Sequence, residues 1–189
     1  MRFSVRKLTF GAVIAAVYAV LTMVLAPISY GPIQFRVSEV LCILPLFFPG
    51  AVCGLFVGCA LANIISSFGI ADVVFGSLAT LIAGLATMWC GKKLSRVPAA
   101  VLGVLPPVIA NAFIIGAVIA WASVPEASSG AFWPLFWTNA LEVGLGELGV
   151  MLILGLPLAL WLPRTTILER LQKLYAEKRP AGSGREQAK

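Results

Sequence analysis

Apolar residues fall into six long blocks separated by short breaks rich in Pro, Gly, Ser and basic side chains. The blocks cover residues 8–26, 37–48, 51–66, 73–90, 99–121 and 132–162, and Pro49-Gly50 closes the second. They lack the polar face of a helix lying on a soluble protein. Apolar runs of this kind read as membrane-crossing helices. The second block is short: twelve residues of α-helix cover only about 18 Å. Either it begins inside residues 27–36, or it stops short of a full crossing, as backbone covered by protein can. Polar residues take over from Arg164. The tail opens as a short amphipathic helix marked by Ile167, Leu168, Leu171, Leu174 and Tyr175. It ends in Pro180-Ala-Gly-Ser-Gly, a composition that predicts disorder. The predicted architecture is all-α and polytopic: a bundle of six transmembrane helices over residues 1–164 and a cytoplasmic tail over 165–189.

Composition agrees. Hydrophobic residues make up 60 % of the chain and charged residues 12 %, about half the usual share for a soluble domain. Too few polar side chains remain to cover a water-facing surface, so the solvent for most of the chain is lipid. The net charge of +6 does not point to nucleic acid, because the basic residues are placed as membrane signals. Arg2, Arg6 and Lys7 precede the first block, Lys92, Lys93 and Arg96 break the fourth from the fifth, and seven more follow from Arg164. With six spans all three groups fall on one side, which the positive-inside rule makes cytoplasmic. The expected location is the cell membrane with both termini in the cytoplasm. The first block outlasts a secretory signal's apolar core and is read as a retained span. The chain has no histidine, which excludes imidazole-based triads and HExxH metal sites. Cys42, Cys53, Cys59 and Cys90 form no CxxC pair and read as small hydrophobes. No metal and no cofactor is expected.

Charges within spans carry the functional signal, since one at a helix centre costs about 2.5–3.5 kcal/mol on insertion scales. Arg36, Glu39, Asn63, Asp72, Asn111, Asn139, Glu142 and Glu147 are the polar residues in or beside the blocks. Asn139, Glu142 and Gly146 share one helical face by their i, i+3, i+7 spacing, with Trp133 and Trp137 near its outer mouth. Bland roles exist for most. Glu39 can pair with Arg36 three residues away, Asp72 can cap the fourth helix, the tryptophans can be interfacial, and Asn63 and Asn111 can bond across helices. Glu142 and Glu147 resist such readings, because no Lys or Arg lies deep in a span to neutralise them. Five residues apart on a helix, they point about 140° from each other, which counts against a catalytic carboxylate pair. On the first span, Ala12 and Ala16, and likewise Ala15 and Ala19, form small-residue stripes that permit close helix approach.

Three strings are specific. Tyr30-Gly-Pro-Ile-Gln-Phe-Arg-Val-Ser-Glu-Val-Leu-Cys-Ile-Leu-Pro45, Gly54-Leu-Phe-Val-Gly-Cys-Ala-Leu-Ala-Asn63 and Asp72-Val-Val-Phe-Gly-Ser-Leu-Ala-Thr80 resemble the QueT family over roughly residues 5–165. That family comprises queuosine-precursor transporters, the substrate-binding S components of energy-coupling factor (ECF) importers. The resemblance implies a six-helix S-component fold and no enzymatic activity. It implies capture of a 7-deazaguanine such as preQ1 or preQ0, and partnership with a transmembrane coupling subunit and two ATPase subunits. The lack of a Walker-type GxxxxGK[ST] string fits ATPases on separate chains. The resemblance also gives Ala12 and Ala16 a docking role toward the coupling subunit. A carboxylate can accept the N1–H and exocyclic NH2 of a guanine edge together. The expected contacts are therefore Glu142 to that edge, Asn139 or Gln34 to O6, and Glu39 or Asp72 to the preQ1 aminomethyl cation. Arg36 is expected to orient Glu39, while Tyr30, Phe35, Trp133 and Trp137 roof the site. Competing readings are an S component for another vitamin or a purine, a membrane-embedded enzyme, and a structural protein without a ligand.

Overall fold

The computed structural model describes residues 5–30, 34–66, 68–124 and 129–175. Every regular element among them is helical. In order these are α1 (Val5–Val24), a single turn α2 (Ala26–Ser29), a ten-residue 3-10 helix (Val37–Leu46), α3 (Ala51–Asn63) and α4 (Ile70–Lys93). Then come α5 (Arg96–Gly103), α6 (Leu105–Ser123), α7 (Phe132–Val150), α8 (Leu156–Trp161) and α9 (Thr166–Tyr175). One π-helical turn, Met151–Gly155, joins α7 to α8. Four stretches are long and apolar enough to cross a membrane: Val5–Val24, Ile70–Lys93, Arg96–Ser123 and Phe132–Arg164. Val37–Leu46 and Ala51–Asn63 are shorter apolar helices, so the two short blocks of the sequence are short in the fold as well. The expected disordered run at 180–184 lies outside the described residues.

Small residues set the helix pairings. A Cβ on Gly58 would lie 2.8 Å from the Ala15 carbonyl oxygen, and one on Gly54 would overlap the Gly11 carbonyl. Both contacts advance in the same direction along the two helices, so α1 and α3 run parallel. The stripe that packs is thus Ala15 and Ala19, both buried, whereas Ala12 and Ala16 are exposed. Likewise Gly116 meets the Ala140 backbone and Gly144 meets Ala112, which makes α6 and α7 antiparallel. Phe10 of α1, Phe48 and Tyr175 of α9 form one aromatic cluster with ring centroids 5.0–5.6 Å apart. Gly91, beside Lys92 and Lys93, abuts the Leu46 carbonyl. The start of α1, the end of α4 and the tail helix therefore share one end of the bundle, in line with the charge pattern.

The second block departs from expectation in its backbone. It is a 3-10 helix, which rises about 2.0 Å per residue against 1.5 Å for an α-helix. Ten residues then reach about 20 Å. Runs beyond three or four residues are uncommon because the hydrogen bonds are poorer. This one is held by burial: it packs against α1, α4, α5, α8 and the π turn, with Cys42 and Ile43 fully covered. Three residues per turn also puts every third side chain in line. Arg36, Glu39, Cys42 and Pro45 form such a line, and all four are buried.

Gly58→Val should force α1 and α3 apart. The expected cost is about 1–3 kcal/mol, the usual range for overpacking, read as a lower Tm of the purified protein in detergent. Ala16→Val, on the exposed stripe, should leave Tm unchanged.

Candidate substrate-binding site

The buried line of the 3-10 helix is the spine of a polar cluster at the centre of the bundle. Arg36 stands just before that helix. Its Nη2 meets Asp72 Oδ2 at 3.3 Å, and both side chains are essentially inaccessible. Its Nε donates to the Ser29 carbonyl oxygen at 3.4 Å, and its guanidinium lies over the Tyr30 ring, 5.5 Å from the centroid. Tyr30 in turn donates its hydroxyl to the Ala62 carbonyl oxygen at 2.6 Å, tying the outer segment to the end of α3. The Phe35 N–H donates to the Ile28 carbonyl oxygen at 3.0 Å, which fixes the chain as it enters the 3-10 helix.

One turn further along, Glu39 is fully buried. Tyr18 of α1 donates its hydroxyl to Glu39 Oε1, and Cys42 donates its thiol to Oε2 at 2.9 Å. Thr22 and Ser38 share a hydrogen bond of 2.6 Å beside them. On the α4 side, Asn63 Nδ2 donates to the Asp72 carbonyl oxygen at 2.9 Å. Gly76 makes that possible, since a Cβ there would collide with the Asn63 amide. From α7, Glu147 is buried within electrostatic reach of Glu39 and Arg36, and it faces Asn111 of α6. The cluster therefore gathers three carboxyl groups, Glu39, Asp72 and Glu147, around one guanidinium.

Several of these groups are left over. Ser29 Oγ, Asn63 Oδ1, Asp72 Oδ1, Glu147 Oε1 and both amide atoms of Asn111 are buried without a hydrogen-bond partner among the described residues. Nearly all buried polar atoms in proteins find partners, and each orphan costs about 1–3 kcal/mol. Ser29, Asn63 and Asp72 lie at the Arg36 end of the cluster, and Asn111 and Glu147 on its α6–α7 side, which makes the cluster the candidate site for a polar ligand. The two cavities described in the structure lie elsewhere. One is a groove between α1 and α9, and the other is a shallow depression between α4 and α6 beside Ile82 and Phe113.

A family model described as QueT transporter matches residues 8–164. The chain belongs to the QueT transporter family. The queuosine precursor transporter QueT of Lactococcus lactis subsp. cremoris (strain MG1363) is 45% identical over 73 residues, which is 38% of this chain and 43% of that protein. The match thus spans less than half the length of that relative. No solved structure matches the chain.

In this QueT-family chain the site residues expected from sequence divide into three groups. Tyr30, Arg36, Glu39 and Asp72 meet in the central cluster, and Gln34 is buried beside them in the chain. Phe35 lies against α7, its Cε2 3.1 Å from where a Gly149 Cβ would stand. Glu142 and Asn139 sit on the same flank of α7 as Gly149 and are only partly buried. Asn139 gives one amide N–H to the Leu135 carbonyl oxygen at 2.7 Å. Trp133 and Trp137 are 64% and 54% exposed. They pack edge-on against Phe132, Phe136 and Phe113.

Three expectations need correction. Arg36 does not bond Glu39: its partner is Asp72, thirty-six positions away, and Glu39 is claimed by Tyr18 and Cys42. Asp72 is not a helix cap. Gly69, at φ 60°, holds the cap position without a side-chain bond, and Asp72 turns inward from the first turn of α4. Trp133 and Trp137 do not roof the cluster; they stand on the outer surface, where the amphipathic indole suits the membrane interface. Of the cluster residues, Asn63, Asn111 and Glu147 stand among the polar candidates of the sequence but without an assigned contact, and Tyr18 was missed altogether. The signal for Tyr18 was available: it shares the Ile14, Ala15, Ala19, Thr22 face of α1, and a hydroxyl on a packed face needs a partner.

Removing one partner of a buried ion pair strands the other. Arg36→Met should cost about 3–5 kcal/mol on that basis. Adding Asp72→Leu should recover part of the loss. A double-mutant cycle on chemical or thermal unfolding in detergent tests this, with a clearly non-additive pair expected.

Proposed function

We propose that this chain is the substrate-capture component of an importer for a queuosine precursor, a 7-deazaguanine such as preQ1. Its ligand site is the central polar cluster. The observation that carries the proposal is the set of orphaned buried groups, Asn63 Oδ1, Asp72 Oδ1, Glu147 Oε1 and the Asn111 amide, inside a chain of a transporter family. A guanine-like edge offers N1–H and NH2 side by side, which one carboxylate accepts together. Glu147 is the carboxylate best placed to do so, since it is buried beside Asn111 with Oε1 left open, where Glu142 is partly exposed. Asn111 faces Glu147 and supplies the amide N–H that O6 requires.

The charge balance favours a cationic precursor. Three carboxyl groups share a single guanidinium, so an aminomethyl ammonium can meet a carboxyl oxygen that Arg36 leaves free, whereas the nitrile of preQ0 cannot. Asp72 Oδ1, open beside the Arg36 pair, is its proposed acceptor. The name of the Lactococcus lactis relative, a queuosine precursor transporter, supports the substrate class.

The same reading assigns energy coupling to other chains. The resemblance to S components implies that a transmembrane coupling subunit and two ATPases drive uptake, and the lack of a phosphate-binding GxxxxGK[ST] string fits that division. The exposed Ala12 and Ala16 of α1 are the proposed docking stripe. The shared end of the bundle, with Lys92, Lys93 and the tail, faces the cytoplasm by the positive-inside rule. The base enters from the opposite face. No catalysis is assigned to the chain.

Isothermal titration of the purified protein with preQ1 tests the site. Glu147→Gln is expected to weaken preQ1 at least ten-fold, and Trp133→Ala to leave it within two-fold. Unchanged affinity in Glu147→Gln, with loss in Glu142→Gln, would move the site to the outer flank of α7. The preference for preQ1 over preQ0 is expected to shrink in Asp72→Asn. Competition by guanine or riboflavin at equal strength would overturn the substrate assignment.

A further inference from the structure

The tail helix α9 does more than follow the last span. Tyr175 accepts the Gly50 N–H through its hydroxyl at 3.0 Å, stacks edge-on with Phe10 and Phe48, and lies under Lys7 with Nζ 5.5 Å from the ring centroid. Leu168 and Leu171 pack on the same core. Helix α9 is therefore a strap that crosses from the last span to the foot of the first. Its remaining apolar side chains are not used in that packing. Ile167 and Leu174 are 45% and 67% exposed, and by helical angle they lie on one side of the packed face, next to Arg170.

That side opens on the groove between α1 and α9, about 920 Å³ in volume. Its floor is apolar: Val5, Phe10 and Val13 from α1, with Leu171 and Leu174 from α9. Its rim is basic, with Arg170 and Lys173 on α9 facing Arg6 on α1. Among the lining residues no acidic side chain is present. An apolar trough with a cationic rim at the basic end of a membrane bundle complements a single chemistry, a chain of hydrocarbon ending in an anion. We propose that the groove seats an anionic phospholipid, with acyl chain against Phe10, Val13 and Leu174 and phosphate at Arg170 and Lys173. The lipid thereby completes the strap's contact with α1. Interfacial helices with one apolar and one basic side bind anionic lipid surfaces in this way.

Native mass spectrometry of the full chain released from mixed phosphatidylglycerol and phosphatidylcholine micelles is the test, paired with thermal melting during titration of each lipid. The expected result is one retained phosphatidylglycerol per chain, a saturable rise in Tm with phosphatidylglycerol only, and at least five-fold weaker retention in the Arg170→Gln/Lys173→Gln variant. Both positions are exposed, so the variant should keep the parent Tm in phosphatidylcholine. Leu174→Gln should weaken retention while the rim stays intact. Equal retention of both lipids, or unchanged selectivity in the double variant, would overturn the proposal. So would lipid binding seen only after residues 176–189 are removed, because the chain's own tail would then be the occupant. Full competition by glycerol phosphate alone would also overturn it, by showing an anion site without a hydrocarbon floor.

Discussion

A guanidinium and a carboxylate buried against each other where the 3-10 helix begins and α4 starts constrain everything around them. Neither charge of Arg36 and Asp72 can reach water, and an unpaired charge there would drive either refolding or neutralisation. The pair holds together segments that the chain keeps far apart: the entry to the 3-10 helix and the first turn of α4. Their supports follow in turn. Asn63 fixes the backbone of Asp72, Gly76 leaves room for Asn63, and the Ser29 carbonyl and the Tyr30 ring hold Arg36 from the other side. Each of these is a small requirement, and together they set how the end of α3 meets the start of α4 and the 3-10 helix.

The 3-10 helix is the second half of the same constraint. An α-helix would turn residues 36, 39 and 42 progressively around its axis, by about 60° for each three-residue step. Three residues per turn keeps them in line. That alignment lets Arg36 meet α4 while Glu39, directly below, meets Tyr18 of α1 and Cys42 of its own helix. The weaker hydrogen bonding of the 3-10 backbone is tolerable because surrounding helices exclude lipid from it. A short span with an irregular backbone and a row of charges makes sense only inside a bundle, and its neighbours on every side provide that cover.

Much of this was legible in the sequence, and what was not has a definite reason. The spans follow from apolar length, and the shared basic end follows from Lys92, Lys93 and the tail. The inward charges follow from the cost of burying them. Partners did not follow. Arg36 and Glu39 are three residues apart, and a local rule pairs them; the fold pairs Arg36 with a residue brought near by α3 and α4. Sequence also offered two stripes on α1, and only packing against Gly54 and Gly58 decides that Ala15 and Ala19 face in. Glu142 and Glu147 present the same problem, because about 140° of helix rotation separates them and either could face the core. The 3-10 backbone itself left no trace in the hydrophobic pattern, since ten continuous apolar-rich residues fit both helices.

If the central cluster is the ligand site proposed above, its orphaned groups are what would make it selective. Specificity arises most strongly where an imperfect ligand leaves a buried donor or acceptor unpaired, a far larger penalty than a missing methylene. Glu147, Asn111, Asn63 and Asp72 supply such groups on at least two sides of the cluster, and Glu39 is already satisfied by Tyr18 and Cys42. A ligand that answers all of them gains several hydrogen bonds in a medium of low dielectric, while a related base lacking one donor leaves a carboxylate stranded. The surplus of carboxyl groups over guanidinium adds a charge term to that filter. The same side chains thus keep the bundle less stable than an apolar core would, and in the proposed role they make it responsive to one class of base. Under the proposed function that trade is reasonable, because cargo held by such groups is bound tightly and released only when the cluster is rearranged.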